Sequence, residues 1–259
     1  MSDDGARKRE LKETFTRQRG YWSDLWSNLL DRDPDFFEAY MHFSSVPWLR
    51  DGLDPKVREF VYIAIDASTT HLYDPGTKIH MINAFRYGAT AGEILEVLEL
   101  ISMQGIHSST VGAGILLEEL AAAGMETPAD RPLSADQEAL KARFVEARGY
   151  WDERWDAILR LSPDYFEASL NFVHSPWKSG SLAPKIRELV YVAIAAATTH
   201  LHEPAIRLHV RNALKHGASA QEIMEVFELI SVLGVHTITS SLPIMEQVIA
   251  EKEPQKAAE

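Results

Sequence analysis

At 259 residues, 46% of them hydrophobic and 25% charged, the chain can bury one large core or two moderate ones. Its formal charge of -12 argues against nucleic acid and anionic membranes as partners, since both attract basic faces. The absence of cysteine excludes disulfides, thiolate metal ligands and thiol redox chemistry. The opening MSDDGARKRELKE lacks the apolar core of a signal peptide, and no unbroken apolar run approaches the ~18 residues of a transmembrane helix. The expectation is a soluble, cytoplasmic protein.

In chain order, residues 1–10 read as a tail and residues 11–120 as a first repeat. RGYWSDLW starts at Arg19, PDFFEA at Pro34 and PW at Pro47. Val57, Val61, Ala64, Ile65 and Ser68 follow at helical spacing, around the pair Arg58-Glu59. Thr69, Thr70 and His71 come next, then His80. In YGAT a glycine falls after one helix, and Thr90 is a candidate N-cap of the next, with Glu93 completing a capping box. In that next helix Ile94, Leu98 and Ile101 face one way. Glu93, Glu96 and Glu99 lie largely opposite, on a face expected to be solvated or to lie between helices. Residues 121–137, AAAGMETPADRPLSADQ, read as a linker, 138–251 as a second repeat, and the final KEPQKAAE as frayed. No stretch alternates apolar and polar residues long enough to require a strand, so the expected fold is all-α, with two tandem helical domains.

The repeat is explicit. Shifted by 129 positions the chain aligns with itself without a gap, and 30 of the 53 residues from Pro55 to His107 are identical in the stretch from Pro184 to His236. That period is too long for a solenoid unit and fits a duplicated domain. Six of the ten histidines pair at this spacing: His71 with His200, His80 with His209, and His107 with His236. Arg58-Glu59 recurs as Arg187-Glu188, with Ser219 and Glu222 repeating the capping box. The tryptophan pairs Trp22/Trp151, Trp26/Trp155 and Trp48/Trp177 read as packing residues. Any one retained histidine could equally be a core residue bonded to backbone, and His107 or His236 could serve a helix terminus. One glutamate and three histidines held together in both copies point further. Glu59, His71, His80, His107 and Glu188, His200, His209, His236 are residue types that move protons near neutral pH. They are also ligands for Zn, Mn or Fe. The copies differ nearby: Asp66 faces Ala195, Tyr73 faces His202 and Tyr87 faces His216.

The run RELVYVAIAAATTH followed by LHVRNALKHGASAQEIMEVFELISVLGV, with its counterpart in the first copy, resembles the carboxymuconolactone decarboxylase family, related to the AhpD-like fold of alkyl hydroperoxide reductases. The resemblance covers roughly 50–115 and 180–245. It implies compact all-α domains that oligomerise, so that a trimer of tandem chains would imitate a hexamer; a dimer is the other option. The peroxidase branch relies on a glutamate, a Cys-x-x-Cys pair and a later histidine. Glu59 and Glu188 match that glutamate, and His80 and His209 match the histidine approximately, whereas His71 and Asp74, or His200 and Glu203, stand where the cysteines would be. Thiol peroxidase chemistry is therefore excluded.

The leading reading is a cysteine-independent enzyme that decarboxylates, isomerises or opens a lactone in a small carboxylated metabolite. His80 and His209 would be the general acid/base groups, oriented by Glu59 and Glu188. The other paired histidines would shuttle protons or hold the substrate, and Arg58, Arg187, Lys78 and Arg207 are candidates to neutralise its carboxylate. One alternative is a metal enzyme with a three-histidine, one-glutamate site for Zn, Mn or Fe in each repeat; the other is a non-catalytic ligand-binding or assembly protein.

Overall fold

The computed structural model describes residues 3–252. Its helices are α1 (Asp3–Arg19), α2 (Ser27–Arg32), α3 (Pro34–Ser45), α4 (Pro55–Asp66), α5 (Asp74–Arg86), α6 (Ala91–Ser102) and α7 (Ile106–Ala122), then α8 (Ala135–Arg148), α9 (Asp156–Leu161), α10 (Pro163–Ser179), α11 (Pro184–Ala196), α12 (Glu203–Lys215), α13 (Ala220–Ile230) and α14 (His236–Lys252). No strand occurs among the described residues, in agreement with the all-α reading. Helix starts follow local chemistry. Asp33 and Asp54 cap α3 and α4 by accepting from Phe36 N (2.9 Å) and Lys56 N (2.8 Å), each ahead of a proline in the first turn. The capping boxes of Thr90 with Glu93 and Ser219 with Glu222 both form, after Gly88 and Gly217 in left-handed backbone (φ 84° and 86°).

The chain forms two compact units. One comprises the residues up to Ala89 together with those from Pro184; the other spans Thr90–Ala183. These units cut through the repeats. The first takes α1–α5 from one copy and α11–α14 from the other, and the second takes α6–α10. Residues 121–137 thus lie inside the second unit, where α7 packs against α9 and α6 against α10. The segment also carries its own helical turn, Pro128–Asp130, with Thr127 and Asp130 closing a capping box. In the first unit α14 covers α2 in the same way. Each N-terminal bundle is therefore covered by the last helix of the opposite copy.

Within the first unit α4 and α11 pack on each other, flanked by α5 and α12. Every residue of α4 from Val57 to Asp66 is buried, as is every residue of α11 from Arg187 to Ala196. Thr70 Oγ1 donates to Thr199 Oγ1 at 3.0 Å, so equivalent positions of the two copies meet, as they do across a two-fold axis. Phe15, Trp26 and Phe37 of the N-terminal helices interlock, with ring centroids 5.7–6.4 Å apart, and Val235, Ile238 and Leu242 close over them. In the second unit Phe144, Trp155 and Phe166 repeat this cluster, which places Trp26 and Trp155 in packing roles. The N-terminal tail expected over 1–10 is instead helical from Asp3. Leu11 and Phe15 anchor α1 in the core, and Arg7 donates to Glu38 at 2.6 Å. Of the stretch read as frayed, residues 253–259 lie outside the described residues.

Two observations refine the expectations. The continuous helical stretches 91–122 and 220–252 are long and apolar enough by length and composition to cross a bilayer, with mean hydropathies of 1.2 and 1.4. Polar residues are scattered along both, so neither holds an unbroken apolar run of ~18 residues. The glutamate face of α6 and α13 is not solvated at its centre: Glu96 and Glu225 are 1% and 0% exposed. Each accepts from a loop amide, Leu182 N for Glu96 and Leu53 N for Glu225, both at 3.0 Å. Glu225 also accepts from Arg58 Nε at 2.5 Å. Gly52 lets the loop approach, since a Cβ there would come within 1.9 Å of Glu225 Oε2. Removing one partner of a buried ion pair strands the other. Glu225→Ala should therefore lower the unfolding free energy by about 3–5 kcal/mol in urea titrations. A loss below about 1 kcal/mol, the ceiling for an exposed pair, would contradict that assignment.

Candidate active site

The site grows from the face of α4 that carries Glu59, Tyr62 and Asp66, at spacings of three and four residues. α5 runs alongside and supplies His80, whose Nδ1 lies 2.6 Å from Glu59 Oε2. The Tyr62 ring stacks on His80 with centroids 4.4 Å apart and fixes the imidazole plane. Nε2 is left facing Asp66, 3.8 Å from its Oδ2. The second copy repeats the dyad. His209 Nδ1 lies 2.7 Å from Glu188 Oε2, and Tyr191 stacks at 4.5 Å.

His71 is presented by the turn between α4 and α5. His71 N and Leu72 N both donate to Ser68 O, and Tyr73 N donates to Asp66 O at 2.7 Å. The wrap holds Leu72 at φ 50° and its counterpart Leu201 at φ 45°, a left-handed conformation that side chains with a Cβ rarely adopt. His71 Nε2 then meets His236 Nδ1 at 2.8 Å, and His236 Nδ1 lies 3.7 Å from Asp66 Oδ1. Tyr73 stacks on His236 at 4.0 Å and shares a hydrogen bond with Thr239 at 2.7 Å.

The structure thus gathers Glu59, His71, His80 and His236 in the first unit, with the last histidine drawn from the opposite copy. His107 stands on the first turn of α7 in the second unit. Glu188 and His209 pair as expected, while the His200 ring stacks with His202, centroids 5.6 Å apart. Two expectations need correction. Arg58 is buried and committed to Glu225 and to the Arg50 carbonyl (2.8 Å), so its charge is used inside the fold rather than on a substrate carboxylate. Arg187 is likewise buried, and Arg207 pairs with Glu203 on the surface. Lys78 is exposed. The three-histidine, one-glutamate metal set does not assemble either: Glu59 lies behind His80 on its Nδ1 side, and the carboxylate inside the cluster is Asp66.

Asp66 had no counterpart in the second copy, so comparing the copies passed over it. A compensating exchange marks it nonetheless. A Cβ on Gly76 would fall 2.0 Å from Asp66 Oδ2, and the second copy has Ala195 and Ala205 at these two positions. The carboxylate occupies the volume that a methyl group would need. Arg19, from the repeated RGYW, was also missed. It is 7% exposed, donates to Ser44 O (2.8 Å) and Tyr62 Oη (3.4 Å), and leaves Nε without a hydrogen-bond partner. Among the described residues no carboxylate pairs with it. A cavity of about 50 Å³ is lined by Arg19, Tyr40, Tyr62, His80, Val235 and His236. An apolar groove of about 330 Å³, lined by Phe36, Phe43 and Ile238 among others, shares Tyr40, Val232 and Val235 with it.

The family model for the carboxymuconolactone decarboxylase family matches residues 34–104 and 163–247. The chain is also similar to the crystal structure of a provisionally assigned gamma-carboxymuconolactone decarboxylase subunit from Burkholderia xenovorans. The two are 42% identical with a TM-score of 0.89, over 94% of this chain and 98% of that one. No curated protein sequence matches the chain.

Burial pushes the Asp66 carboxyl up from 3.8 to about 7, against the pull of His80 and with the push of Glu59. Burial holds the His236 imidazole down from 6.5 to about 3, helped by His71 and His80. Both groups are therefore neutral over much of the acidic range, and their linkage to stability has opposite sign. Between pH 3.8 and about 7 the unfolded chain has lost the Asp66 proton that the fold retains, so this contribution falls as pH rises. Between about 3 and 6.5 the unfolded chain holds a His236 proton that the fold lacks, so that contribution rises with pH. With EDTA present, the stability gained by Asp66→Asn over wild type should grow from pH 4 to 7 and then level off, read by urea unfolding. A gain independent of pH would show that Asp66 is ionised throughout.

Proposed function

The chain belongs to the carboxymuconolactone decarboxylase family, and from that membership we propose an enzyme of cysteine-independent acid–base chemistry, one that decarboxylates, isomerises or opens a lactone in a small carboxylated metabolite. The duplicated dyad carries the reading: a histidine held by a buried glutamate at 2.6 Å in one copy and 2.7 Å in the other. An ionised carboxylate only accepts hydrogen bonds, so Glu59 fixes the hydrogen on Nδ1 of His80 and leaves Nε2 as the basic atom. When Nε2 takes a proton, the carboxylate behind it stabilises the imidazolium, which can return that proton elsewhere on the substrate. In decarboxylation the electrons of the broken C–C bond enter the unsaturated system of the metabolite, and the proton ends on carbon as carbon dioxide leaves.

Arg19 supports the carboxylated substrate class, because a buried guanidinium without an acidic partner is a ready anion site. The cavity beside it, about 50 Å³, has room for a carboxylate or a water but not a ring. The adjoining groove, about 330 Å³, lies within the range of small-molecule pockets and would take the apolar body. A chain without cysteine needs no oxidising compartment, which fits a cytoplasmic setting. The double variant Glu59→Gln, Glu188→Gln should lower kcat on gamma-carboxymuconolactone or a related carboxylated lactone by about 10²-fold or more. Arg19→Met should chiefly raise KM. Folded double variant with unchanged turnover would sink the acid–base reading.

We also propose that the chain forms a homo-oligomer, three copies making a pseudo-hexamer. Ile244, Met245, Val248 and Ile249 on α14 are 36–59% exposed and form an apolar strip that association would cover. Light scattering should give three chains per particle, and Ile244→Glu with Ile249→Glu should reduce it. A wild-type monomer would overturn this.

A further inference from the structure

We propose that Asp66, His71 and His236 form a binding site for a divalent transition-metal ion, beside the Glu59–His80 dyad and independent of the acid–base reading. Their donor atoms, a carboxylate oxygen, Nε2 and Nδ1, all lie within 4.8 Å of one another. The His71–His236 and His236–Asp66 separations are 2.8 Å and 3.7 Å. Donors at Zn–N distances of 2.0–2.1 Å in tetrahedral geometry stand ~3.3 Å apart, so the two values bracket what a shared ion requires. Side-chain rotation would bring the third pair, His71 and Asp66, from within 4.8 Å to that spacing.

Asp66 gives the independent reason to expect a ligand there. It is 1% exposed, yet its Oδ2 accepts no hydrogen bond. Its place was opened by Gly76, where the second copy has an alanine facing an alanine. A carboxylate that packing has made room for, and that no protein donor satisfies, is a site waiting for a cation. Charge argues the same way, since Glu59, another buried carboxylate, lies on the same helix face. His71 and His236 keep partial exposure, which leaves an entry route. Two nitrogens and one oxygen suit Zn, Fe or Mn rather than Mg or Ca, and three protein ligands leave positions open. Nε2 of His80 lies 3.8 Å from Asp66 Oδ2, so the proposed ion would sit next to the dyad. His236, one of the three ligands, also lines the cavity that His80 lines, so the ion would lie at its edge.

The test is metal binding to the full-length chain, stripped with EDTA and dialysed. Titration with Co²⁺, followed by visible absorption, and equilibrium dialysis with Zn²⁺ both give stoichiometry without any turnover. Asp66→Ala and, separately, His71→Ala should each lose one equivalent per chain, while His209→Ala keeps it. X-ray absorption on the zinc-loaded wild-type chain should show two imidazole ligands and oxygen, so the site can be read even if a variant fails to fold. No binding by the wild-type chain, or binding unaltered in both variants, would overturn the proposal and leave His71–His236 as a hydrogen-bonded pair.

Discussion

Burial of α4 on all sides is the constraint from which the rest follows. A helix with no wet face must satisfy each polar side chain inside the protein, because an unpaired buried charge costs several kcal/mol. α4 nonetheless carries Arg58, Glu59 and Asp66, each 5% exposed or less. The three solutions differ. Arg58 reaches Glu225 of α13 and ties that helix to the Leu53 loop. Glu59 takes the Nδ1 side of His80. Asp66 finds no donor for Oδ2 and stays neutral through most of the acidic range. One ion pair thus joins α4 to α13, one carboxylate holds an imidazole, and one keeps an oxygen that accepts no hydrogen bond.

The duplication repeats the burial of the arginine and the glutamate dyad but not the third carboxylate. α11 buries Arg187 and Glu188 as α4 buries Arg58 and Glu59, and Glu188 again holds a histidine. Ala195 and Ala205 then fill the volume that Asp66 and Gly76 leave for a carboxylate. Paired replacement of this kind keeps the local volume nearly unchanged. It does change chemistry. Tyr73 beside His71 becomes His202 beside His200, so the surroundings of the two dyads diverge while the dyads stay alike. Two Glu–His dyads with different neighbours are the result.

The helical period, the capping boxes and the boundary glycines were legible in the sequence because they depend on residues close along the chain. The dyad was legible too, as the repeat kept Glu59 with His80 and Glu188 with His209. Arg58 misled, since charge alone cannot show which partner a guanidinium reaches 167 positions away. For Glu96 and Glu225 the sequence left a solvated and an inter-helix face both open, since it cannot show that a loop amide covers each carboxylate. Asp66 escaped because retention between copies was the criterion, and an unmatched residue fails it. The pairing of His71 with His236 rather than with His107 was beyond reach, for it depends on which N-terminal bundle each last helix covers.

That choice of cover has a consequence for how the two copies can evolve. Had each copy folded by itself, one could have lost its site without harming the other. Here α14 seals the bundle of α1–α3 and brings His236 against His71 and Asp66. A change in the second copy at His236 is therefore felt in the first copy's cluster, and Tyr73 is fixed to Thr239 across the same junction. One helix completes both core and cluster: Ile238 and Leu242 cover Leu11, Phe15 and Phe37, and His236 supplies the second ring of the imidazole pair. The strained turn at Leu72 fits this logic, because its unfavourable backbone persists only when the surrounding contacts over-determine it. The turn's own backbone bonds supply part of that support in both copies, His71 N and Leu72 N to Ser68 O here and His200 N and Leu201 N to Ala197 O at Leu201, and in the first copy α14 adds His236 and Thr239. A duplicated chain thus gains what two separate copies could not guarantee, a partner helix that is always present at the concentration the site requires.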